Sequence, residues 1–450
     1  MRQFRAGVGT GIMRLKALTA ASGFMLCIYG GVGLIGVGAI RLFTELAPPA
    51  VFGEANLLLT LLGLAVTVSS QPFTNTQLRF HSAAARQGRG DGYTRAALLW
   101  TTLAGSGVYA LAILGWLALK GLHDTSLGPV GVAGLGGIVM AASVRNVLYG
   151  RYQAEGRNLL YGGLLAAEAA VIAAGTAGGL WVRASLDGYV AGHAIGLIGA
   201  AALGLLADPR GSVSMLRTCE RAPEFLRQAR SYGAPFAPIG VLGWLANLAD
   251  RYVLGALAGP AAVGRYVAPF SIASRGMGMF GGALNDIFRP ALFAATNADD
   301  RAGARRIFTA WLAVRIAAAA GGVAGLALAG PLVARLLLAP AYRDGAAPIL
   351  TWIAAAYGVQ GVIQTLETAL MARDRTGWLI GSMSVGGGLN LIFSLMLIPR
   401  CGALGAAQAT TASFLAQAAL TVGLLCLSPR SSRLHEPAED VGAERREPVG

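Results

Sequence analysis

The chain alternates long apolar runs with short polar breaks that carry most of its arginines. A helix needs about 20 predominantly apolar residues to cross the hydrocarbon of a bilayer. Twelve segments satisfy this, at about 17–43, 51–75, 96–119, 130–149, 159–182, 188–207, 234–258, 264–288, 308–334, 347–371, 377–398 and 403–427. The pattern predicts an all-α integral membrane protein. The first run, from Leu18 to Phe43, is too long for a signal-peptide core and ends in no small-x-small cleavage pattern, so it reads as a retained first helix. Ahead of it Phe4, Val8, Ile12 and Leu15 recur at helical spacing among Arg2, Arg5, Arg14 and Lys16, which predicts a short basic amphipathic helix on the membrane surface.

The breaks differ in charge, and the difference alternates. One set carries Arg79, Arg86, Arg89 and Arg95; Arg151 and Arg157; Arg210, Arg217, Arg221, Arg227 and Arg230; Arg289, Arg301, Arg305 and Arg306; and Arg373 and Arg375. The other set holds little beyond Lys120, Arg183, Arg335, Arg343 and Arg400. The positive-inside rule places the rich set, and with it both termini, in the cytoplasm. The longest inner break, Asp208–Arg230, contains E-R-A-P-E-F-L-R-Q-A-R and reads as a surface helix feeding the seventh span. The expected organisation is a six-helix lobe over 1–207, a linker over 208–233, a second six-helix lobe over 234–427, and a tail over 428–450. The tail is polar and rich in Pro, Glu and Arg, and reads as disordered.

Composition agrees. The chain has 450 residues, 55% hydrophobic and only 13% charged, against about 25% charged in ordinary soluble domains. Its 64 glycines suit close helix packing in lipid. The net charge of +14 lies in the breaks where topology needs it, so it does not indicate nucleic acid. Cys27, Cys219, Cys401 and Cys426 form no C-x-x-C pair, and His81, His123, His193 and His435 have no ligand spacing, so no metal or redox site is expected. G-V-G-L-I-G at Gly31–Gly36 fits a dinucleotide fingerprint but lies inside a span with no preceding strand, which excludes that reading. No cofactor is expected.

Internal repeats divide the chain in two. L-A-P-P-A-V-F-G at Leu46–Gly53 matches L-A-G-P-A-A-V-G at Leu257–Gly264, and Y-Q-A-E-G-R-N-L-L-Y-G-G resembles L-M-A-R-D-R-T-G-W-L-I-G-S at the ends of the fourth and tenth spans. Six spans return the chain to the side where it started, so the repeats are parallel, related by an axis along the membrane normal.

Two stretches carry a family resemblance. Asn247, then Asp250-Arg251, then G-P-A-A-V-G-R-Y over Gly259–Tyr266, and later N-L-I-F-S-L-M-L-I-P-R-C-G-A-L-G-A-A over Asn390–Ala407, resemble the bacterial polysaccharide flippases. These are the Wzx-like, O-antigen members of the superfamily that also holds the multidrug and toxin extruders. The resemblance implies a MATE-like fold with no enzymatic activity. It also implies transport of polyprenyl-pyrophosphate-linked oligosaccharide across the bacterial inner membrane by alternating access, for surface polysaccharide. The implied partners are the lipid-linked glycan, the bilayer, H+ or Na+ as coupling ion, and other polysaccharide-assembly membrane proteins. Lipid II flippases usually have fourteen helices, and room for twelve favours the oligosaccharide branch.

The intramembrane charges are the candidate site. Asn247, Asp250, Arg251 and Leu254 share one helical stripe, which must face protein or water because a charge in lipid costs about 2.5–3.5 kcal/mol. Arg251 lies about 13 Å and Arg275 about 16 Å inside the outer end at 1.5 Å per residue, so Asp250 and Arg275 are expected to reach each other. Arg315 and Glu367 reach matching depths, and Glu168 has Arg145 as its nearest partner. Arginine suits a pyrophosphate because its planar fork binds two oxygens and stays charged when desolvated. The substrate-cavity set is therefore Asn247, Asp250, Arg251, Arg275 and Arg315, weighed against buried pairs that only fix helix register. For Asp250 with Arg251 the structural reading is favoured. Arg41 and Arg145 read as snorkelling. Glu168, Asp286 and Glu367 are candidate proton or ion carriers. The rivals are an ion-coupled multidrug extruder, expected to have an apolar or acidic cavity, and a polysaccharide polymerase or ligase, which needs a large catalytic outer loop that this chain lacks.

Overall fold

The computed structural model describes residues 27–28, 30–120, 127–218, 222–298, 300–372 and 377–427. The expected N-terminal amphipathic helix, the tail over 428–450, and Cys219, Arg373 and Arg375 lie outside the described residues. The chain is almost wholly helical: α1 (30–46), α2 (Pro49–Arg86), α3 (Gly90–Lys120), α4 (Pro129–Ala154), α5 (Asn158–Val182), α6 (Leu186–Leu206), α7 (Pro209–Arg217), α8 (Pro223–Gln228), a π turn (Ala229–Gly233), α9 (Phe236–Ala258), α10 (Pro260–Asn297), α11 (Arg301–Leu337), a 3-10 turn (Pro340–Tyr342), α12 (Ala346–Met371) and α13 (Gly377–Leu427).

α13 breaks at Gly402, whose φ of 56° and ψ of −132° only glycine adopts at little cost. Among the described residues, with its two limbs counted separately, six long helices precede α7 and six follow the π turn. Seven helical runs among the described residues are long and apolar enough to cross a membrane on length and composition, as befits a multi-pass membrane protein. α9 falls outside that set because Asn247, Asp250 and Arg251 lower its hydropathy.

The helices start where the sequence supplies a start. Proline opens α2, α4 and α10, where its missing N–H costs nothing. Side chains of Ser185, Asp208 and Asp300 accept from Gly188, Gly211 and Gly303 N–H groups at the starts of α6, α7 and α11. α2, α10 and α11 run 38, 38 and 37 residues, longer than a bilayer needs, because their arginine-bearing ends stay helical beyond it.

In the first lobe α6 packs on α4 and α5, while α2 packs on α3 and α4; in the second α11 and α13 pack on α12, and α9 packs on α13. The lobes meet chiefly where α2 contacts α9 and α10. The matching motifs around Pro49 and Pro260 meet reciprocally. A methyl group on Gly53 would fall 1.9 Å from the Pro260 carbonyl oxygen, and one on Gly264 would fall 2.0 Å from that of Pro49. The eighth residue of each motif thus packs on the fourth of the other, as a two-fold axis between the repeats requires. On the same face Tyr342 Oη donates to the Ala47 carbonyl at 2.7 Å and Ala339 N donates to Thr44 Oγ1 at 3.2 Å. The lobes are therefore latched on the face opposite the arginine-rich breaks.

The linker is docked on the first lobe. Phe225 is buried edge-on against Tyr93 at 4.9 Å, Arg89 pairs with Glu224 at 2.8 Å, and Tyr93 Oη donates to Gln228 at 2.6 Å.

Candidate functional site

The stripe on α9 is buried against protein, and its charges point in different directions. Asp250 is fully buried and accepts hydrogen bonds from Tyr266 Oη, from Thr410 Oγ1 at 3.1 Å and from the Arg251 backbone N–H at 2.8 Å. Asn247 Oδ1 accepts from Gln360 Nε2 on α12 at 2.8 Å. Both residues therefore serve contacts within the second lobe. Arg251 turns the other way: its guanidinium lies 4.6 Å from the Phe270 ring centroid and reaches Thr60 Oγ1 of α2 at 3.4 Å, across the lobe boundary.

The expected Asp250–Arg275 pair does not form. Asp250 is already enclosed by α9, α10 and α13, while Arg275 lies on the face of α10 turned to the first lobe. There it is exposed, rests against Gly36 of α1, and has Tyr189 of α6 as its electrostatic neighbour. Among the described residues it forms no ion pair. Gly36 leaves the room: a methyl group there would overlap the Arg275 guanidinium.

Arg315 does not pair with Glu367 either. Its Nη2 donates to the Gly281 carbonyl at 2.7 Å and to Asn285 Oδ1 at 2.6 Å, both on α10 and both neutral. Its Nε is buried without a partner among the described residues. Glu367 instead accepts from Gln417 Nε2 at 3.5 Å. The two groups sit on helices that bring them to similar depth but face different neighbours. A cavity of about 530 Å³ opens between α10, α11 and α12, with Val37 of α1 on its rim; Arg315 lines it and Arg275 does not.

In the first lobe Arg145 forms an ion pair with Glu168, donates to Asn146 Oδ1 at 2.6 Å and covers the Tyr149 ring. Arg145 therefore does not snorkel, because a carboxylate at its own depth satisfies it better than a distant interface. Arg41 reaches toward the end of α1, where it pairs with the exposed Glu45 and donates to the Leu338 carbonyl of the other lobe. Asp286 belongs to α10, and its side chain lies outside the described set. His193 is within reach of Thr176 Oγ1 at 3.3 Å in the first lobe's interior. Among the described residues no group of acidic, histidine and cysteine side chains is arranged to hold a metal.

The sequence reading missed a polar ladder inside α13. Asn390 Nδ2 donates to Thr410 and Ser413 hydroxyls at 3.4 and 3.3 Å, Gln417 Nε2 donates to Ser382 Oγ at 3.4 Å, and Ser382 and Thr421 hydroxyls share a bond of 2.9 Å. The signal was present as Thr410, Ser413, Gln417 and Thr421 at helical spacing opposite Ser382, Gly386 and Asn390. The ladder connects Asp250, through Thr410, with the limb that carries Gln417 and so Glu367.

No protein-family model matches the chain, and no curated protein matches it. Solved structures do. An inward-facing multidrug resistance MATE family transporter of the MOP superfamily superposes with a TM-score of 0.64 at 13% identity, over 90% of this chain and 93% of that one. A Vibrio cholerae MATE transporter gives 0.66 at 12% identity, over 92% and 96%. The lipid II flippase MurJ in an inward closed conformation gives 0.66 at 12% identity, over 92% and 88%. This chain therefore has the two-lobed helical fold shared by the MATE transporters and the flippase MurJ.

Proposed function

We propose that the protein is a flippase for polyprenyl-pyrophosphate-linked oligosaccharide in the bacterial inner membrane. It serves surface polysaccharide synthesis, with the arginine-rich face in the cytoplasm. The observation that carries this reading is Arg275, an exposed guanidinium about 22 Å along α10 at 1.5 Å per residue, facing the other lobe with no carboxylate paired to it among the described residues. A cation within the span must face protein or water and not lipid, and an unpaired one facing the other lobe attracts an anion that passes between the lobes. Arg251, directed at Thr60 across the same boundary, adds a second positive charge. The two lobes rock about their shared axis and move the sugar and pyrophosphate between faces, while the prenyl chain stays in lipid. The polar head could not cross unaided, since unpaired polar groups in hydrocarbon cost several kcal/mol each.

A multidrug extruder of the same fold remains the second reading. The fold favours it equally, but a site for cationic drugs calls for acidic groups, and Asp250 is turned inward and already saturated by three donors. The deciding experiment is Arg275→Ala in the native host. Surface polysaccharide should fall at least tenfold while the protein inserts at its normal level, and Arg275→Lys should retain part of the activity. Export at the normal level by Arg275→Ala would remove the cationic pathway.

A further inference from the structure

We propose that the cavity between α10, α11 and α12 is a second binding site, for an amphiphile with one apolar chain and an anionic head, the head held by Arg315. The shape fits a chain. The α10 residues that line the cavity run from Ile272 to Leu284, twelve residues or about 18 Å at 1.5 Å per residue. Its volume of about 530 Å³ lies within the range of about 300–1,000 Å³ usual for small-molecule sites. The wall is aliphatic, aromatic and thioether side chain, and Gly281, Gly322, Gly358 and Gly361 keep it shallow. Among the described residues Arg315 is the one charged residue that lines it.

That arginine sits toward the arginine-rich end of the slot, beside Gly281 and Asn285, so an occupant's head would point to that face and its chain toward the opposite one. This is the orientation of a lipid in the leaflet on the arginine-rich side. Arg315 is 95% buried, since its relative exposure is 5%. Among the described residues its two acceptors are neutral and both use Nη2, Nε is orphaned, and Nη1 lies against Gly281 and Gly361 at the cavity wall. A buried guanidinium with neutral partners alone is under-compensated, and a carboxylate or phosphate oxygen at Nη1 and Nε would complete it with charge-assisted bonds. A cationic amphiphile has no counter-charge in the lining. Fatty acids and lipid phosphates share the chemistry required.

The site is lined chiefly by the second lobe and borders the glycan pathway: Ala273 and Gly276 line it on either side of Arg275, and Val37 lines it beside the Gly36 that Arg275 rests against, while Arg275 itself does not line it. The test uses the full chain purified into phosphatidylcholine nanodiscs and labelled with a diazirine analogue of palmitic acid, the labelled peptides being located by mass spectrometry. Labelling should fall on α10 and α11 within the slot. It should be competed by farnesyl phosphate or by palmitate, and not by hexadecyltrimethylammonium at equal concentration. Stronger competition by farnesyl phosphate assigns the head as a lipid phosphate, and stronger competition by palmitate assigns it as a carboxylate. Arg315→Gln should reduce labelling at least tenfold. Ala318→Phe, which fills the slot and leaves the charge, should do the same, while Arg315→Lys keeps most of it. Labelling unchanged in Arg315→Gln or in Ala318→Phe, equal competition by the ammonium, or no labelling within the slot overturns the proposal. The readout is binding, so it fails or succeeds independently of polysaccharide export by Arg275→Ala.

Discussion

The arginines of this chain divide by whether a carboxylate reaches them. Arg145 has Glu168, and Arg151 sits among Glu155 at 2.6 Å, Asp91 at 3.4 Å and the Gly211 carbonyl at 3.2 Å. That second cluster lies at the arginine-rich face and ties α2, α3, α4 and α7 together, with His81 Nε2 3.5 Å from Glu155 and Arg157 2.9 Å from Asp208. Burial acts to raise the Glu155 carboxyl, but hydrogen bonds from His81 and Arg151 and the charge of Arg151 outweigh it and hold the group down at about 2. A carboxylate whose folded pKa is depressed stabilises the fold above its unfolded value of about 4.5, and that contribution is lost as pH falls toward 2. Glu155→Gln should therefore cost about 2 kcal/mol at neutral pH. The loss should show as a lower melting temperature in detergent, and the gap to the parent chain should narrow as pH drops from 5 toward 3. A gap independent of pH would mean that Glu155 acts through packing. Arg275 and Arg315 have no such partner among the described residues, which is why the functional readings rest on them.

Between helices, the first lobe depends on backbone contact that the second does not copy. Along α5 and α6, a methyl group on Gly192 would fall 2.3 Å from the Gly175 carbonyl oxygen, and one on Gly179 would fall 2.1 Å from that of Gly188. In the second lobe the approach is to side chain or is looser: a methyl group on Gly358 would fall 2.8 Å from Ala319 Cβ, and one on Gly387 would fall 3.3 Å from the Ala246 backbone N. Gly192→Leu should thus force α5 from α6, lowering the melting temperature sharply or preventing insertion, whereas Gly163→Ala, which meets nothing within 4 Å, should be neutral or slightly stabilising through helix propensity. Equal behaviour of the two variants would show that the helices are not held by this approach. The helices themselves were legible, since apolar length and arginine spacing mark them, and Gly402 separates the last two spans where the sequence places the break. The side-chain partners were not. Equal depth suggested Asp250 with Arg275 and Arg315 with Glu367, but depth fixes only one coordinate. Rotation about the helix axis turned Asp250 to Tyr266 and Thr410, and Arg315 to Asn285. Arg145 with Glu168 formed because α4 and α5 are adjacent in the chain and also face each other there.

The two lobes are joined asymmetrically, and that sets what can move. On the face opposite the arginine-rich breaks the reciprocal turns at Pro49–Gly53 and Pro260–Gly264 interlock, with Thr44, Ala47, Ala339 and Tyr342 adding hydrogen bonds across the boundary. The linker moves with the first lobe, to which α8 is anchored through Phe225, Glu224 and Gln228. It carries the second lobe at the start of α9. If transport requires alternate opening, the interlocked turns must part in each cycle. Packed interfaces of this kind switch between discrete arrangements and do not deform continuously. A double variant, Thr44→Cys with Ala339→Cys, in a chain whose Cys27, Cys219, Cys401 and Cys426 are replaced by Ala, should cross-link through a short thiol reagent or a disulfide and arrest surface-polysaccharide export. A cleavable linkage should restore export when reduced, and neither single cysteine should respond. Export that continues through a fully cross-linked population would show that this seam stays shut during transport, and the pathway past Arg275 would then have to open without separating the lobes at their shared turn.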